Sequence, residues 1–282
     1  MFNLMFRKKY ESRKYVDLIK KVSSNWANWD PPRPIQVGDY GMIDEQTGIF
    51  EKENNIYTAP STAALCALHR SQAAPPEENI IYNAEVQHKG ILDLTHFNIP
   101  GIAEASIKGQ WKFNKNKTGA LLVMAQPRIT FLDEATLFEK LVGVKELDDK
   151  CLVTATVTCH AYAMYLSSQS EDSISLALHS TPSVSAAPLG LAGGESKLDW
   201  WSEKGAGVFR HGCAEPGTYS FTPMFMLKRK PKNDKFSSHR SALLDTMWEE
   251  VQVPWRPLKE GGEEAAVVNT LAGSQAPKTS EE

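Results

Sequence analysis

Ala105-Ser106-Ile107-Lys108-Gly109-Gln110-Trp111-Lys112-Phe113-Asn114 sorts its residues onto two faces with a period of two. Ala105, Ile107, Gly109, Trp111 and Phe113 fall on one side; Ser106, Lys108, Gln110, Lys112 and Asn114 fall on the other. Side chains alternate along an extended chain, so this stretch reads as a strand with one apolar and one hydrated face. Residues 114–119 are turn-like and residues 120–129 resume as a more apolar strand, which together read as a hairpin. Sheet-like patterning also covers residues 80–95. In residues 152–164, Val153, Ala155, Val157, Cys159 and Ala161 alternate with Thr154, Thr156, Thr158, His160 and Tyr162. Residues 173–179 set Ile174, Leu176 and Leu178 against Ser and Ala, and a return strand is expected within 197–209, across a Ser/Pro/Gly-rich link. Residues 38–57 form a further hairpin turning at Thr47-Gly48. Two helices complete the pattern: residues 3–22, with Tyr15, Leu18, Ile19 and Val22 as the apolar stripe, and residues 133–145, with Leu137, Leu141 and Val144. The fold class is α+β, an antiparallel sheet with peripheral helices.

The chain has 282 residues, 41% apolar and 23% charged, enough for one large domain or two small ones with a real core. Its net charge of −3 lacks the basic excess of a nucleic-acid binder, so charge-based partners must be local. Residues 1–21 supply the strongest local excess, with seven basic and two acidic residues. Basic side chains held near an anionic lipid surface contribute about 1 kcal/mol each. Met1–Phe6 is apolar, but Arg7-Lys8-Lys9 follows it, the reverse of a secretory signal, so export is not expected. Four cysteines (Cys66, Cys151, Cys159 and Cys213) show neither disulfide density nor C-x-x-C spacing, as suits a reducing, intracellular setting.

Catalytic signatures are missing. There is no Gly-rich phosphate loop, H-E-x-x-H or G-x-S-x-G, and Cys159 and His160, adjacent on a strand, point to opposite faces. Neither an enzyme nor a metal site is expected. Residues 151–170 and 173–194 carry no charge, yet their Thr, Ser and Pro content does not suit a transmembrane helix. Charge-poor alternating strands are compatible with a soluble sheet and also with a membrane barrel, which needs about 9–11 residues per strand.

The C-terminal part differs from the body. Lys228, Arg229, Lys230, Lys232 and Lys235 make residues 227–235 read as an exposed basic linker. Residues 241–253 place Leu244, Met247, Trp248 and Val251 on one helical stripe, which needs a surface to cover it. From residue 261 the chain reads as polar and disordered. Residues after Phe236 carry four basic and eight acidic side chains, net −4, leaving +1 on the body.

Several stretches resemble the fungal gasdermins, the regulator-of-cell-death and heterokaryon-incompatibility Q types. They are Met1-Phe2, Tyr10-Glu11-Ser12-Arg13-Lys14-Tyr15, Trp26-Ala27-Asn28-Trp29, Val37-Gly38-Asp39-Tyr40-Gly41, Thr47-Gly48 and Asn55-Ile56-Tyr57. The resemblance extends over residues 1–235 and is most specific in the first 57. It implies a gasdermin-like twisted antiparallel sheet over 1–235 and a short inhibitory segment over 236–282. It also implies a pore former that binds acidic phospholipids, self-associates and inserts hairpins, here expected from residues 105–129 and 173–209. The protein would be cytoplasmic until activated and then at the plasma membrane, executing fungal incompatibility cell death. A subtilisin-like serine protease would cut between Phe236 and Ser237. Arg7, Lys8, Lys9, Arg13, Lys14, Lys20 and Lys21 would meet lipid, and Leu244, Met247, Trp248 and Val251 would hold the segment on the body. The rival expectation is a soluble binding or scaffold protein whose tail docks a partner.

Overall fold

Antiparallel pairing organises the described residues into three sheets with few helices; strand accounts for 45% and helix for 13% of the α+β structure. The structure is a computed structural model and describes residues 2–90, 105–132, 134–168, 172–182, 196–230 and 248–266. The first sheet runs β1 (Trp26–Ala27), β15 (Phe221–Arg229), β10 (Cys151–Cys159), β2 (Asp39–Ile43) and β3 (Phe50–Asn55). Three short strands join it: β16 (Glu249–Glu250) on β15, β9 (Arg128–Phe131) on β10, and β4 (Gln72–Ala73) on β9. The second sheet runs β14 (Val208–Cys213), β11 (Ala161–Leu166), β8 (Ala120–Ala125) and β5 (Ile80–Ala84). The third runs β13 (Ser196–Lys204), β12 (Ser173–Pro182), β7 (Ala105–Phe113) and β6 (Val86–Gly90). Helices are α1 (Phe2–Ser23), α2 (Ala63–Cys66) and α3 (Glu134–Leu141).

The second and third sheets have the same strand order, and each strand of one is next in the chain to its counterpart in the other. The passages are β5 to β6, β7 to β8, β11 to β12 and β13 to β14. Registers agree along the crease. Ala84, Ala120, Leu166 and Val208 end the pairing on one side. Val86 with Phe113, Lys112 with Ser173, and Ile174 with Lys204 begin it on the other. The two sheets are therefore one four-stranded ribbon folded in half. Ile107, Trp111, Phe113, Ile174, Leu176, Leu178 and Trp200 of the third sheet face Leu121, Val123, Ala161, Ala163 and Tyr165 of the second.

The other face of the second sheet, through Ala120, Leu122, Met124, Tyr162 and Met164, shares a core with α1 and the first sheet. All six residues of β8 are buried because it lies between two layers, which explains its unbroken apolar run. α2 and α3 cover the far side of the first sheet, where Leu152, Leu137, Phe138 and Leu141 meet. α1 buries Ser12, Tyr15, Val16 and Ile19, whereas Val22 is 43% exposed, since the core contact ends a turn before the helix does. Among the described residues no helix is long and apolar enough to cross a membrane, which says nothing of strands.

Three expectations are corrected here. Residues 105–129 are not a hairpin: β7 and β8 lie in facing layers, and the in-sheet pairs are β6 with β7 and β12 with β13. Both strands carry an apolar face, so burying those faces against each other outweighs edge pairing. Residues 152–164 are not one strand. The chain bends at His160, between the last β10 pair, Cys159 with Phe221, and the first β11 pair, Ala161 with Cys213. Residues 227–229 belong to β15 rather than to a linker, with Leu227 in the core, and the Lys230 ammonium donates to Asp148 at 2.9 Å.

His160 is 4% exposed, and burial holds its imidazole below the usual range. The unfolded chain takes up a proton near pH 6.5 that the native one refuses, so stability is full above that pH and falls as pH drops through it. The urea midpoint is expected to fall between pH 7.5 and 5.5, and His160→Asn should remove that component of the fall. Glu85 and Glu146 are held below the usual carboxylate range by Lys117 and by Ser61 with Tyr40, so their contribution is lost at lower pH than that of His160.

Candidate functional site

Residues 248–266 lie against α1 and the end of β15. Trp248 stacks on Phe138 of α3, ring centroids 4.9 Å apart, within the cluster on the far side of the first sheet. Glu249 and Glu250 then form β16 on β15, with Glu250 opposite Lys228 and Glu249 opposite Arg229. Opposite charges directly across a ladder are favourable by about 0.2–1 kcal/mol per pair. The Val251 N–H donates to the Leu227 carbonyl at 3.1 Å, and its side chain enters the core on the α1 side. Positions an odd number apart on an extended chain face opposite ways, which is why Trp248 and Val251 plug two different clusters. The helical stripe expected over 241–253 is thus extended in its described part. Leu244, Met247, Phe236 and Ser237 lie outside the described residues.

Trp255 anchors the segment on α1. It is 5% exposed, meets Trp26 edge-on at 5.9 Å, and its indole N–H donates to the Asp17 carboxylate at 3.2 Å. Asp17 also accepts from Lys21 at 2.6 Å. Beneath the indole lies Gly48, where a β-carbon would stand 3.1 Å from the ring.

Residues 257–265 fold into a tight turn, with the Ala265 N–H on the Pro257 carbonyl and the Lys259 N–H on the Glu263 carbonyl. Gly262 sits at φ +89°, and a β-carbon there would stand 2.5 Å from the Tyr10 carbonyl, so only glycine fits. This corrects the reading of residues 261 onward as disordered, at least as far as residue 266. Pro254, Pro257 and the Gly261-Gly262 pair, spaced around Trp255 and Leu258, are the turn signals that mark such a structure.

The turn closes over the two cations at the middle of α1. The Arg13 guanidinium donates to the Gly262 carbonyl at 2.6 and 3.2 Å and to the Glu45 carbonyl at 2.9 Å, and stands 3.7 Å from Glu264. The Lys14 ammonium donates to the Lys259 carbonyl at 3.0 Å and stands 3.6 Å from Glu260. Both side chains are only 6% exposed. Glu260 reaches further: its carboxylate accepts from the Thr118 N–H at 2.6 Å and its carbonyl from the Thr118 hydroxyl at 2.9 Å. Thr118 belongs to the turn between β7 and β8, so the segment touches the crease of the ribbon.

The basic residues expected to meet lipid therefore fall into four groups. Arg13 and Lys14 are buried under the C-terminal segment. Lys20 lies 4.8 Å over the Trp26 ring, its ammonium lowered from the usual range by burial and partly restored by Glu250. Lys21 is 61% exposed beside Asp17. Arg7, Lys8 and Lys9 lie in the helical backbone of α1, and their side chains lie outside what is described. Burial pushes the thiols of Cys66, Cys151, Cys159 and Cys213 up, Cys151 to about 11, so none is a thiolate at neutral pH. No His, Cys, Asp or Glu group gathers into a metal site among the described residues. Neither a protein-family model nor a curated protein matches the chain.

Proposed function

We propose that the chain is a gasdermin-type pore-forming protein, not an enzyme, kept silent by its own C-terminal segment. The observation that supports this reading above others is the ribbon folded in half. If the crease opens, β5–β6, β7–β8, β11–β12 and β13–β14 become four long antiparallel strands, and the side chains now sandwiched between the halves form one apolar face. β7, β12 and β13 alone contribute 9, 10 and 9 residues, against about 9–11 needed to cross a bilayer. On the opposite face, Ser106, Lys108, Gln110 and Lys112 of β7 suit a water-filled lumen. An even number of strands lets identical copies join head to tail with antiparallel pairing at every seam, which closes a ring.

The segment supplies the restraint. Its carbonyls and carboxylates satisfy Arg13 and Lys14, and its Glu260 grips the turn at the crease. Release takes the Gly262, Lys259, Glu260 and Glu264 partners from two buried cations, and the phosphates of acidic phospholipids replace them. A serine protease cutting at Phe236 and Ser237 starts that release, at a cell membrane and in the service of regulated fungal cell death.

The test is dye release from vesicles with and without acidic phospholipid, comparing the intact chain with the same chain cut at a protease site inserted after Phe236. Release is expected only from acidic vesicles and only after cutting. Silence of a cut, folded protein whose segment has left would sink the pore reading and favour a soluble scaffold.

A further inference from the structure

We propose that Asp172 is the positioning residue that holds the ribbon folded, a latch at the crease acting through Tyr165. This rests on the reading of the ribbon as the part that opens, and it adds the group whose bonds exist only while it is shut. Asp172 begins the passage into β12 and is 4% exposed. Its Oδ2 accepts from the Tyr165 hydroxyl at 2.8 Å, the Ser168 N–H at 2.9 Å and the Ser168 hydroxyl at 3.1 Å, and its Oδ1 accepts from the Ser173 N–H at 2.9 Å. Its own carbonyl accepts from the Phe113 N–H at 2.9 Å. Tyr165 is fully buried at the end of β11, packs against Phe113 with tilted rings 5.6 Å apart, and its oxygen accepts from the Gly207 N–H at 3.0 Å.

The carboxylate itself binds Tyr165, Ser168 and Ser173 between β11 and β12; the passage from β7 to β8 is held through Phe113 on the Asp172 main-chain carbonyl, and that from β13 to β14 through Gly207 on the Tyr165 oxygen. The last passage runs flush against the latch. A β-carbon on Gly205 would stand 1.8 Å from Asp172 Oδ1, and one on Gly207 would stand 2.4 Å from the Tyr165 ring. The carboxylate contacts bring Tyr165 and Ser168 to Asp172. Straightening β11 and β12 into one strand sends the Ser173 N–H into a ladder and carries Asp172 about 20 Å or more along the chain from Tyr165, at about 3.3 Å per residue. The carboxylate's bonds to Tyr165 and Ser168 are thus present in the folded ribbon and absent in the straight one, the condition for a group to bias a two-state equilibrium.

The test uses the full chain as Asp172→Asn, Tyr165→Phe and Ser168→Ala. Amide hydrogen exchange is read separately for 105–113, 173–182 and 196–204 and for 151–157 and 221–229 of the first sheet. Loss of bonds to a buried charged acceptor is expected to raise exchange in the third sheet about tenfold to a hundredfold for Asp172→Asn and Tyr165→Phe, and less for Ser168→Ala, with the first sheet unchanged. Equal rises in both sheets, as ordinary destabilisation produces, or no rise, overturn the latch. Ser168→Ala keeps the core intact and decides the matter if the other two fail to fold. A selective rise without dye release after cutting supports the latch and counts against the pore, so the two readings fail separately.

Discussion

Trp255→Ala in the intact chain is expected to free the C-terminal segment and to release dye from acidic vesicles without any cut. Removing a buried Trp costs about 3–5 kcal/mol, which shifts a two-state equilibrium by roughly two to three and a half powers of ten. The indole fills the gap between Trp26 and Gly48 and donates the bond that, with Lys21, satisfies Asp17. Its loss leaves a cavity under the segment rather than inside the ribbon, so the first effect is on docking. Limited proteolysis should cut residues 248–266 faster, while exchange in β10 and β11 stays slow. Dye retention by a variant whose segment is shown to be loose would mean that the restraint lies elsewhere. The comparison with Trp248→Ala is informative, because Trp248 stacks on α3 in the cluster at the far side of the first sheet, a different cluster from the one that holds α1. Its truncation should loosen the segment with a smaller gain in leakage.

The Thr47-Gly48 turn located the β2–β3 hairpin, while period-two alternation located β7 and β12, because each carries its large apolar side chains on one face and the pattern reports that directly. It misplaced the partner of β7. Alternation says which face is buried, not whether the neighbour covering it lies beside the strand or above it. Residues 114–119 satisfy either geometry. The bend at His160 was hidden for a related reason: with both faces of β10 and β11 buried, the chain carries no mark of the point where it leaves one sheet for another.

At the site, the basic cluster of α1 was evident from charge, but its orientation was not. A buried arginine and an exposed one look alike until the groups that satisfy them are located, and those of Arg13 are backbone carbonyls of Gly262 and Glu45. Trp248 and Val251 were legible as apolar residues needing cover; their spacing of three suggested a helix, but an extended chain crossing the end of a sheet presents them to opposite clusters. Trp255, Glu260 and Gly262 were passed over because the surrounding residues are polar, and composition averages away a single deep anchor.

Arg13→Ala is expected to have opposite consequences before and after cutting. In the intact chain the guanidinium makes its bonds to Gly262, Glu45 and Glu264 with 6% of its side chain exposed, and breaking a buried arrangement of this kind from one side costs about 3–5 kcal/mol. The 257–265 turn should detach from α1, and the intact variant should leak where the wild type is silent. After cutting, the same residue is one of the cations left facing lipid, so its absence should weaken binding to acidic vesicles by about 1 kcal/mol, roughly fivefold. Glu264→Gln separates the two roles, since it removes a partner of Arg13 from the segment and nothing from the body. It should loosen the intact chain modestly and leave lipid binding of the cut protein at the wild-type level. Vesicle co-sedimentation of the cut proteins, set beside dye release by the intact ones, reads both effects. If Arg13→Ala weakened both states in parallel with a lowered melting temperature, Arg13 would be a core residue of the fold and not the cation the segment conceals.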